Sequence, residues 1–297
     1  MIDLFLATDI PAPLETALSA RFRLFRGSPP TTTRAIVGGG MSAVDAALIA
    51  SLPALEIIAV HGVGHDRIDL DAATRAGVRV TLTPDVLTDD VADLAIGLML
   101  AVQRRIPAND RAVRHGNWRV PNGRRASGRR IGLFGMGLIG QSIASRAAPF
   151  ASETLYTSRT AKAWLPYRFV PDLAELATAS DVLIVAASGG TETAKAVNAD
   201  ILDRLGRDGV LINIARGGIV DETALVAALL EGRIYGAGLD VFAHEPIVPD
   251  ALKTLDTVVL QSHQGSATQE ARAAMAVLVL ANLDAHFTGQ PLLTAIN

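Results

Sequence analysis

Short aliphatic and β-branched runs alternate with longer helical patterns from one end of this chain to the other. No other feature restricts its fold as strongly. In the first third, residues 2–7, 35–37, 56–60 and 78–81 have the composition of strands, and 13–20, 43–52 and 70–76 have the periodicity of helices. The middle repeats the scheme. Strands are expected at 130–134, 153–157, 182–186, 210–214, 236–239 and 258–260, with helical stretches at 139–150, 173–179, 199–205 and 222–231. A strand joined to the next through a helix pairs with it in parallel, so the alternation predicts an α/β fold with helices on both sheet faces. Two such sets predict two doubly wound parallel-sheet domains.

A length of 297 residues agrees, at roughly 150 residues per domain. A long helix is expected over 88–115, broken near Pro107, then a loop over 116–130, and a last helix over 269–288 that returns to the first domain. The first domain is therefore discontinuous, 1–93 plus 268–297, with 94–267 inserted as the second. The chain has no cysteine. That excludes a disulfide framework, a thiolate metal site and a cysteine nucleophile, and it suits a reducing cytoplasm. A net charge of −3 asks for neither nucleic acid nor an anionic membrane as partner. The one basic cluster, Arg124, Arg125, Arg129 and Arg130, has no aromatic interleaving and reads as a solvated loop. The longest apolar run, 91–102, is interrupted by Asp93 and is shorter than the ~20 residues a membrane span needs. The first nine residues carry acids and no Lys or Arg, as a buried strand does and a secretory signal does not.

Gly135-Met-Gly137-Leu-Ile-Gly140 follows the strand at 130–134 and opens the helix at 139–150. In that strand–turn–helix setting the spacing is a dinucleotide fingerprint, which makes 94–267 a Rossmann domain. Gly135 permits the tight turn, Gly137 lets backbone approach a pyrophosphate, and Gly140 lets helix and strand pack closely. The amides of Leu138 and Ile139 at the helix start face the phosphates. The next strand ends in Ser158-Arg159-Thr160, where an NAD site usually carries an acid for the ribose hydroxyls. With no carboxylate to repel a 2′-phosphate, Arg159 can pair with one, and Ser158 and Thr160 add hydroxyls. NADP(H) is preferred, with NAD(H) still admissible.

Three later segments place a charged residue just beyond a strand's carboxyl end, where open α/β sheets bind ligands. They are Asn213-Ile-Ala-Arg216-Gly-Gly-Ile-Val-Asp-Glu222, Gly238-Leu-Asp240-Val-Phe-Ala-His-Glu245-Pro246 and Ser262-His263-Gln-Gly265-Ser-Ala-Thr268. Hydride delivery to a carbonyl leaves negative charge on oxygen, and a histidine can meet it with a proton. A carboxylate on the other ring nitrogen orients the imidazole and favours its charged form. An arginine can bind a substrate carboxylate and polarise the adjacent carbonyl.

On these residues the chain resembles the D-isomer-specific 2-hydroxyacid dehydrogenases over essentially its whole length. The matching stretches are Arg216-Gly-Gly-Ile-Val-Asp-Glu, Asp240-Val-Phe-x-x-Glu245-Pro and His263-x-Gly-Ser-Ala-Thr. The resemblance implies Arg216 as the substrate-binding cation, His263 as the acid/base and Glu245 as its partner. It implies Val63 and Gly64 as backbone donors to the substrate carboxylate in a substrate-binding first domain, with Thr88 and Asp240 lining the nicotinamide. Ile214 and Gly265 are counted with the cofactor contacts. Residues 84–98 and 156–160 look most like NADPH-preferring glyoxylate/hydroxypyruvate reductases, including hydroxyphenylpyruvate reductases. The expected reaction reduces a small 2-oxo acid to a 2-hydroxy acid. Bulkier oxo acids with NAD(H) are the alternative, and a nucleotide-sensing scaffold like the C-terminal-binding-protein corepressors is a remote one. A two-fold homodimer through 91–115 is expected, since an apolar helix on such a domain needs a cover.

The chain departs from the family's usual pattern at Ser262, Gln264 and 186–188, which leaves the chemistry in place and bears on substrate preference. His61 and His65 have a metal-ligand spacing, but Gly62 and Gly64 put them on a loop, so no metal site is expected. His115 and His286 read as surface residues, His244 as a neighbour of the site, and Trp118 as a core or subunit contact.

Overall fold

The computed structural model describes residues 1–38 and 42–297. It divides into two compact units, Met1–Leu87 with Ser266–Asn297, and Thr88–Gly265. The first begins with β1 (Ile2–Leu6), α1 (Ala12–Ser19), β2 (Phe22–Phe25), β3 (Thr33–Gly38), α2 (Ala46–Ser51), β4 (Ile57–Val60), α3 (Leu70–Arg75) and β5 (Arg79–Thr81). The second holds α4 (Thr88–Arg104), α5 (Ile106–Arg114), β6 (Arg129–Phe134), α6 (Leu138–Ala147), β7 (Ala151–Thr157), β8 (Arg168–Phe169), α7 (Leu173–Thr178), β9 (Val182–Val185), α8 (Ala199–Leu205), β10 (Val210–Asn213), α9 (Glu222–Leu230), β11 (Gly236–Leu239), α10 (Asp250–Thr254) and β12 (Val258–Leu260). The last helix, α11 (Gln269–Phe287), belongs to the first unit.

The first sheet is parallel throughout, in the order β2-β1-β3-β4-β5. Alternate residues of its strands feed two cores. Leu4, Leu6, Ala35, Val37, Ile57 and Ala59 pack on α1 and α11 through Leu14, Leu18, Val279 and Leu283. Phe5, Ile36, Ile58 and Val60 pack on α2 and α3 through Ile49, Ala72 and Ala73. A sheet covered on both faces needs apolar residues at consecutive positions, which is why these strands read as unbroken aliphatic runs. β2 escapes that pattern: it is an edge strand, and its Arg23 pairs with the buried Asp3 at 2.6 Å.

The second sheet, also parallel, runs β12-β11-β10-β9-β6-β7-β8. The chain winds outward from β6 through β7 and β8, then returns to β9 and winds the other way. This is the Rossmann topology with its switch point between β6 and β9. The α/β, doubly wound class expected from the sequence is the one found. Six of the eleven helices among the described residues start where a side chain takes up a free amide: Asp45, Asp69, Asp172, Asn198, Asp221 and Thr268 each accept from the N–H three residues on.

Several details differ from the sequence reading. The units divide before α4, not within it at residue 93, because one continuous helix packs as one body. The helical break falls at Arg105 in the left-handed region (φ 54°), two residues before Pro107. α2 starts at Ala46 rather than 43, because Val44 is engaged in a bridge with Ile68. Trp118 is not a core residue: it is 85% exposed. His286 is not a free surface residue either, since its Nε2 lies 3.1 Å from Glu56. Arg124 and Arg130 of the basic cluster are paired with Asp208 and Asp181. Among the described residues no helix is long and apolar enough to cross a membrane.

Candidate active site

At the switch point β6 turns into α6 over bare backbone. Gly135 has φ 106°, and a Cβ there would come within 2.5 Å of Ala187 N on the neighbouring strand's loop. A Cβ on Gly140 would come within 2.3 Å of Gly135 O. Both positions are closed to any side chain. Gly137 is the opposite: it caps α6 with nothing within 4 Å of its Cβ position and no side chain bonded to the helix end. The first amides of α6, from Leu138 on, therefore open toward free space with the positive end of the helix dipole behind them. These residues fit a dinucleotide's pyrophosphate, which needs close backbone and N–H donors.

β7 ends beside this turn and carries Ser158, Arg159 and Thr160 just beyond it. Arg159 is exposed and has no carboxylate partner among the described residues. The Ser158 hydroxyl is already engaged, donating to Thr160 O at 2.7 Å. Of the three, the Arg159 guanidinium and the Thr160 hydroxyl are the groups not committed inside the loop.

The other end of the same sheet edge assembles the charged residues. Asn213, the buried last residue of β10, accepts the Ala215 N–H (3.1 Å) and donates Nδ2 to Arg216 O (3.0 Å). The turn that presents Arg216 is thus wrapped around one amide side chain. Gly217 follows because a Cβ there would lie 1.9 Å from the Phe242 carbonyl carbon; the Arg216 turn and the segment after β11 touch backbone to backbone. Asp240 directly follows β11 and is 1% exposed. Its two carboxylate oxygens accept the N–H groups of Gln264 (2.6 Å) and Gly265 (2.9 Å), and its carbonyl accepts that of His263 (2.8 Å). The His263 loop therefore hangs from Asp240. His263 itself has φ 57°, a left-handed conformation that a non-glycine residue adopts only when its surroundings impose it.

Held this way, His263 places Nδ1 2.8 Å from Glu245 Oε2, while Glu245 Oε1 accepts the Phe242 N–H at 3.0 Å. Burial pushes the Glu245 carboxyl up. The hydrogen bonds from His263 and Phe242 N–H, with the charges of His263 and Arg216, outweigh it and hold the group below the usual carboxylate range. Burial pushes the Asp240 carboxyl up as well and wins there, against the two amides and the His263 charge. An ionised Glu245 has only acceptors to offer, so the shared proton sits on Nδ1 and Nε2 is left for another partner.

Of the residues expected at the site, Arg216, Asp240, Glu245, His263 and Gly265 come together in the second unit. Gly265 is buried with its Cβ position 3.1 Å from Asp240 Oδ2. Ile214 is buried beside β9, its N–H on Val185 O (3.4 Å). Thr88 is the first residue of α4. Val63 and Gly64 belong to the first unit, in the loop after β4, where His65 Nδ1 faces Val63 O at 3.2 Å. Nearby His61 is 7% exposed and its Nε2 is buried without a partner. Burial and the charge of Arg272 push its pKa down. Among the described residues no group of three His, Cys, Asp or Glu side chains is placed to hold a metal. Sequence reasoning missed Asn213 as the brace of the Arg216 turn and the backbone-binding role of Asp240. The signal for both was a polar residue at or just beyond the carboxyl end of a strand whose other residues are apolar or glycine.

Residues 96–265 match the family described as D-isomer specific 2-hydroxyacid dehydrogenase, NAD binding domain. The chain is 48% identical to a hydroxyphenylpyruvate reductase of Plectranthus scutellarioides, over 95% of each chain. It is 50% identical to a 2-ketogluconate reductase of Gluconobacter oxydans (strain 621H), over 89% of this chain and 86% of the other. Among solved structures, it superposes with a TM-score of 0.94 at 40% identity on the NADPH-dependent glyoxylate/hydroxypyruvate reductase of Sinorhizobium meliloti in complex with NADP and malonate. That match covers 99% of this chain and 96% of the other.

Proposed function

The chain belongs to the D-isomer-specific 2-hydroxyacid dehydrogenase family, and from that premise we propose that it reduces small 2-oxo acids with NADPH. Glyoxylate would give glycolate, and hydroxypyruvate would give D-glycerate. The observation that carries this reading is the His263–Glu245 contact of 2.8 Å, held on a strained backbone with Arg216 near enough for its charge to act on Glu245.

The reduced nicotinamide, when bound, supplies the hydride to the carbonyl carbon. Arg216 takes the substrate carboxylate in its planar fork and draws charge onto the carbonyl oxygen. His263 Nε2 gives a proton to that oxygen as its charge develops. Glu245 keeps the imidazole turned so that Nε2 faces the substrate, and stabilises the ring while it holds both protons. Val63 and Gly64 would offer backbone N–H groups to the substrate carboxylate. Gly135, Gly137, Leu138, Ile139 and Gly140 would hold the pyrophosphate. Arg159 and the Thr160 hydroxyl would hold the 2′-phosphate, with Ser158 bracing their loop through its bond to Thr160 O, and Thr88, Ile214, Asp240 and Gly265 would enclose the nicotinamide end. NAD(H) would bind the same cradle more weakly, without the Arg159 contact.

A bulkier oxo acid is the second reading. It is favoured by near-equal identity to relatives named for hydroxyphenylpyruvate and 2-ketogluconate. Steady-state kinetics with glyoxylate, hydroxypyruvate, hydroxyphenylpyruvate and 2-ketogluconate, each with NADPH and NADH, separates them. The first reading predicts the highest kcat/KM for the two small acids with NADPH. Turnover confined to a bulky acid, or no turnover with any, overturns it. The protein would act in the cytoplasm, which suits a chain without cysteine. It would act as a homodimer: α5 has no buried residue and exposes Ile106 and Val113, and Trp118 after it is exposed too. Light scattering at twice the chain mass checks that.

A further inference from the structure

The Ser158–Thr160 loop is held at its far end by a side chain from its own strand. Tyr156 is 1% exposed, and its ring packs against Phe169 of β8 with centroids 5.4 Å apart. The phenol oxygen accepts the Lys162 N–H at 2.7 Å and lies 3.4 Å from Lys162 O. The hydroxyl thus reaches six residues forward and clasps the chain where it leaves the loop. The near end is fixed by β7 itself, and the middle by the Ser158–Thr160 hydrogen bond. A second contact steadies the far end: the Lys162 ammonium lies 5.1 Å from the centre of the Trp164 ring.

From this juxtaposition we propose that Tyr156 is the positioning residue for 2′-phosphate recognition, its hydroxyl holding the loop in the shape that presents Arg159. The proposal rests on the NADP(H) reading above and deepens it. The physical reason is entropy. A long exposed arginine on a slack loop must be ordered at the moment of binding, and that cost comes out of affinity. A loop closed at both ends and across its middle has met that cost on folding. Tyr156 touches neither the adenine nor the reacting atoms in this account; it acts through the backbone of the five residues it encloses. Its ring anchors the strand, and only its oxygen serves the loop. Tyr156→Phe therefore leaves the packing on Phe169 in place and leaves the Lys162 N–H without its acceptor.

The test compares two probes that differ by the recognised group, 2′,5′-ADP and 5′-AMP, by titration calorimetry on the full chain, without turnover. Wild-type protein is expected to bind 2′,5′-ADP more tightly. Tyr156→Phe should lose roughly three- to tenfold in affinity for 2′,5′-ADP, the scale of one lost hydrogen bond, and keep its affinity for 5′-AMP. In kinetics the same variant should raise the KM for NADPH, with kcat and the KM for NADH unmoved. Equal loss for both probes makes Tyr156 a packing residue only and overturns the proposal, as does no loss for either. If wild-type protein binds both probes alike, the cofactor reading itself falls and Tyr156 with it. If wild type discriminates and Tyr156→Phe discriminates equally, the cofactor reading stands and only the role of Tyr156 falls. Should Tyr156→Phe lower the melting temperature enough to blur the comparison, Trp164→Ala tests the same clasp from the exposed side. It should weaken 2′,5′-ADP and spare 5′-AMP, and an unchanged ratio of the two counts against the clasp.

Discussion

Arg216 and Arg159 are both arginines on loops after strands, and the proposed reaction asks different work of each. Arg216→Lys keeps the charge and loses the planar fork, so kcat/KM for a 2-oxo acid should fall by roughly 10²–10³-fold, the scale of one oriented charge contact at the reacting oxygen. The Kd for NADPH, measured without substrate, should stay as it was; weakened cofactor binding with normal oxo-acid kinetics would contradict the role. Arg159→Ala should do the reverse, raising the KM for NADPH by roughly 10–100-fold and leaving that for NADH nearly unchanged. Kinetics with both cofactors decides, and equal effects count against a phosphate contact. Arg216, Glu245 and His263 were legible in the sequence because a cation, a carboxylate and a histidine just beyond strand ends are conspicuous among aliphatic runs. Asn213, Asp240 and Tyr156 were not legible in their roles. Their partners are backbone atoms, and a sequence does not display where backbone N–H groups point.

At the scale of elements, the glycines record which loops touch. A Cβ on Gly217 would lie 1.9 Å from Phe242 backbone, whereas Gly218 beside it has nothing within 4 Å. Gly217→Ala should therefore push the Arg216 turn away from the Glu245 segment. It should lower the melting temperature by several degrees and cost most of the activity, while Gly218→Ala changes little. Thermal scans and kcat on the two variants check this, and a harmless Gly217→Ala would contradict the backbone contact. Elements with strong periodicity, such as α4, α11 and the central strands, were legible. β8 has two residues and α10 five, too few to show any period. β2 is Phe-Arg-Leu-Phe, four residues at a sheet edge, too short to show a period; the place of Arg23 is explained only by its partner Asp3 on β1. The ring of Trp118 misled because large apolar residues are usually buried; its exposure is a property of the surface and not of its sequence neighbours.

For the whole molecule, alternation fixed the class because each parallel strand must be covered on both faces. The return of α11 to the first unit was legible from its length, enough to cross back. Glu56, Asp181 and Glu245 are all held below the usual carboxylate range by hydrogen bonds and positive neighbours acting against burial. A carboxylate with a depressed folded-state pKa stabilises the fold above its unfolded value, about 4, and that stability is lost as pH falls through the folded value. The buried Asp240 is shifted upward and works in the opposite sense. Because the depressed carboxylates are the more numerous, the melting temperature should drop below about pH 4, after a smaller loss that starts below about pH 6.5 as the unfolded chain protonates His61, whose pKa burial holds down in the fold. Calorimetry across that range checks the sign, and stability rising into acid would contradict it. The central claim is that His263, held by Glu245, delivers the proton that accompanies hydride transfer. The most direct measurement is the pH dependence of kcat/KM for glyoxylate reduction by wild type, His263→Ala and Glu245→Gln. Reduction needs a protonated His263, so wild-type activity should fall as pH rises. Loss of the Glu245 charge should move that limb to lower pH, and His263→Ala should lose roughly 10²–10⁴-fold throughout. A Glu245→Gln profile that coincides with wild type, or a His263→Ala variant of near-normal rate, would contradict the account.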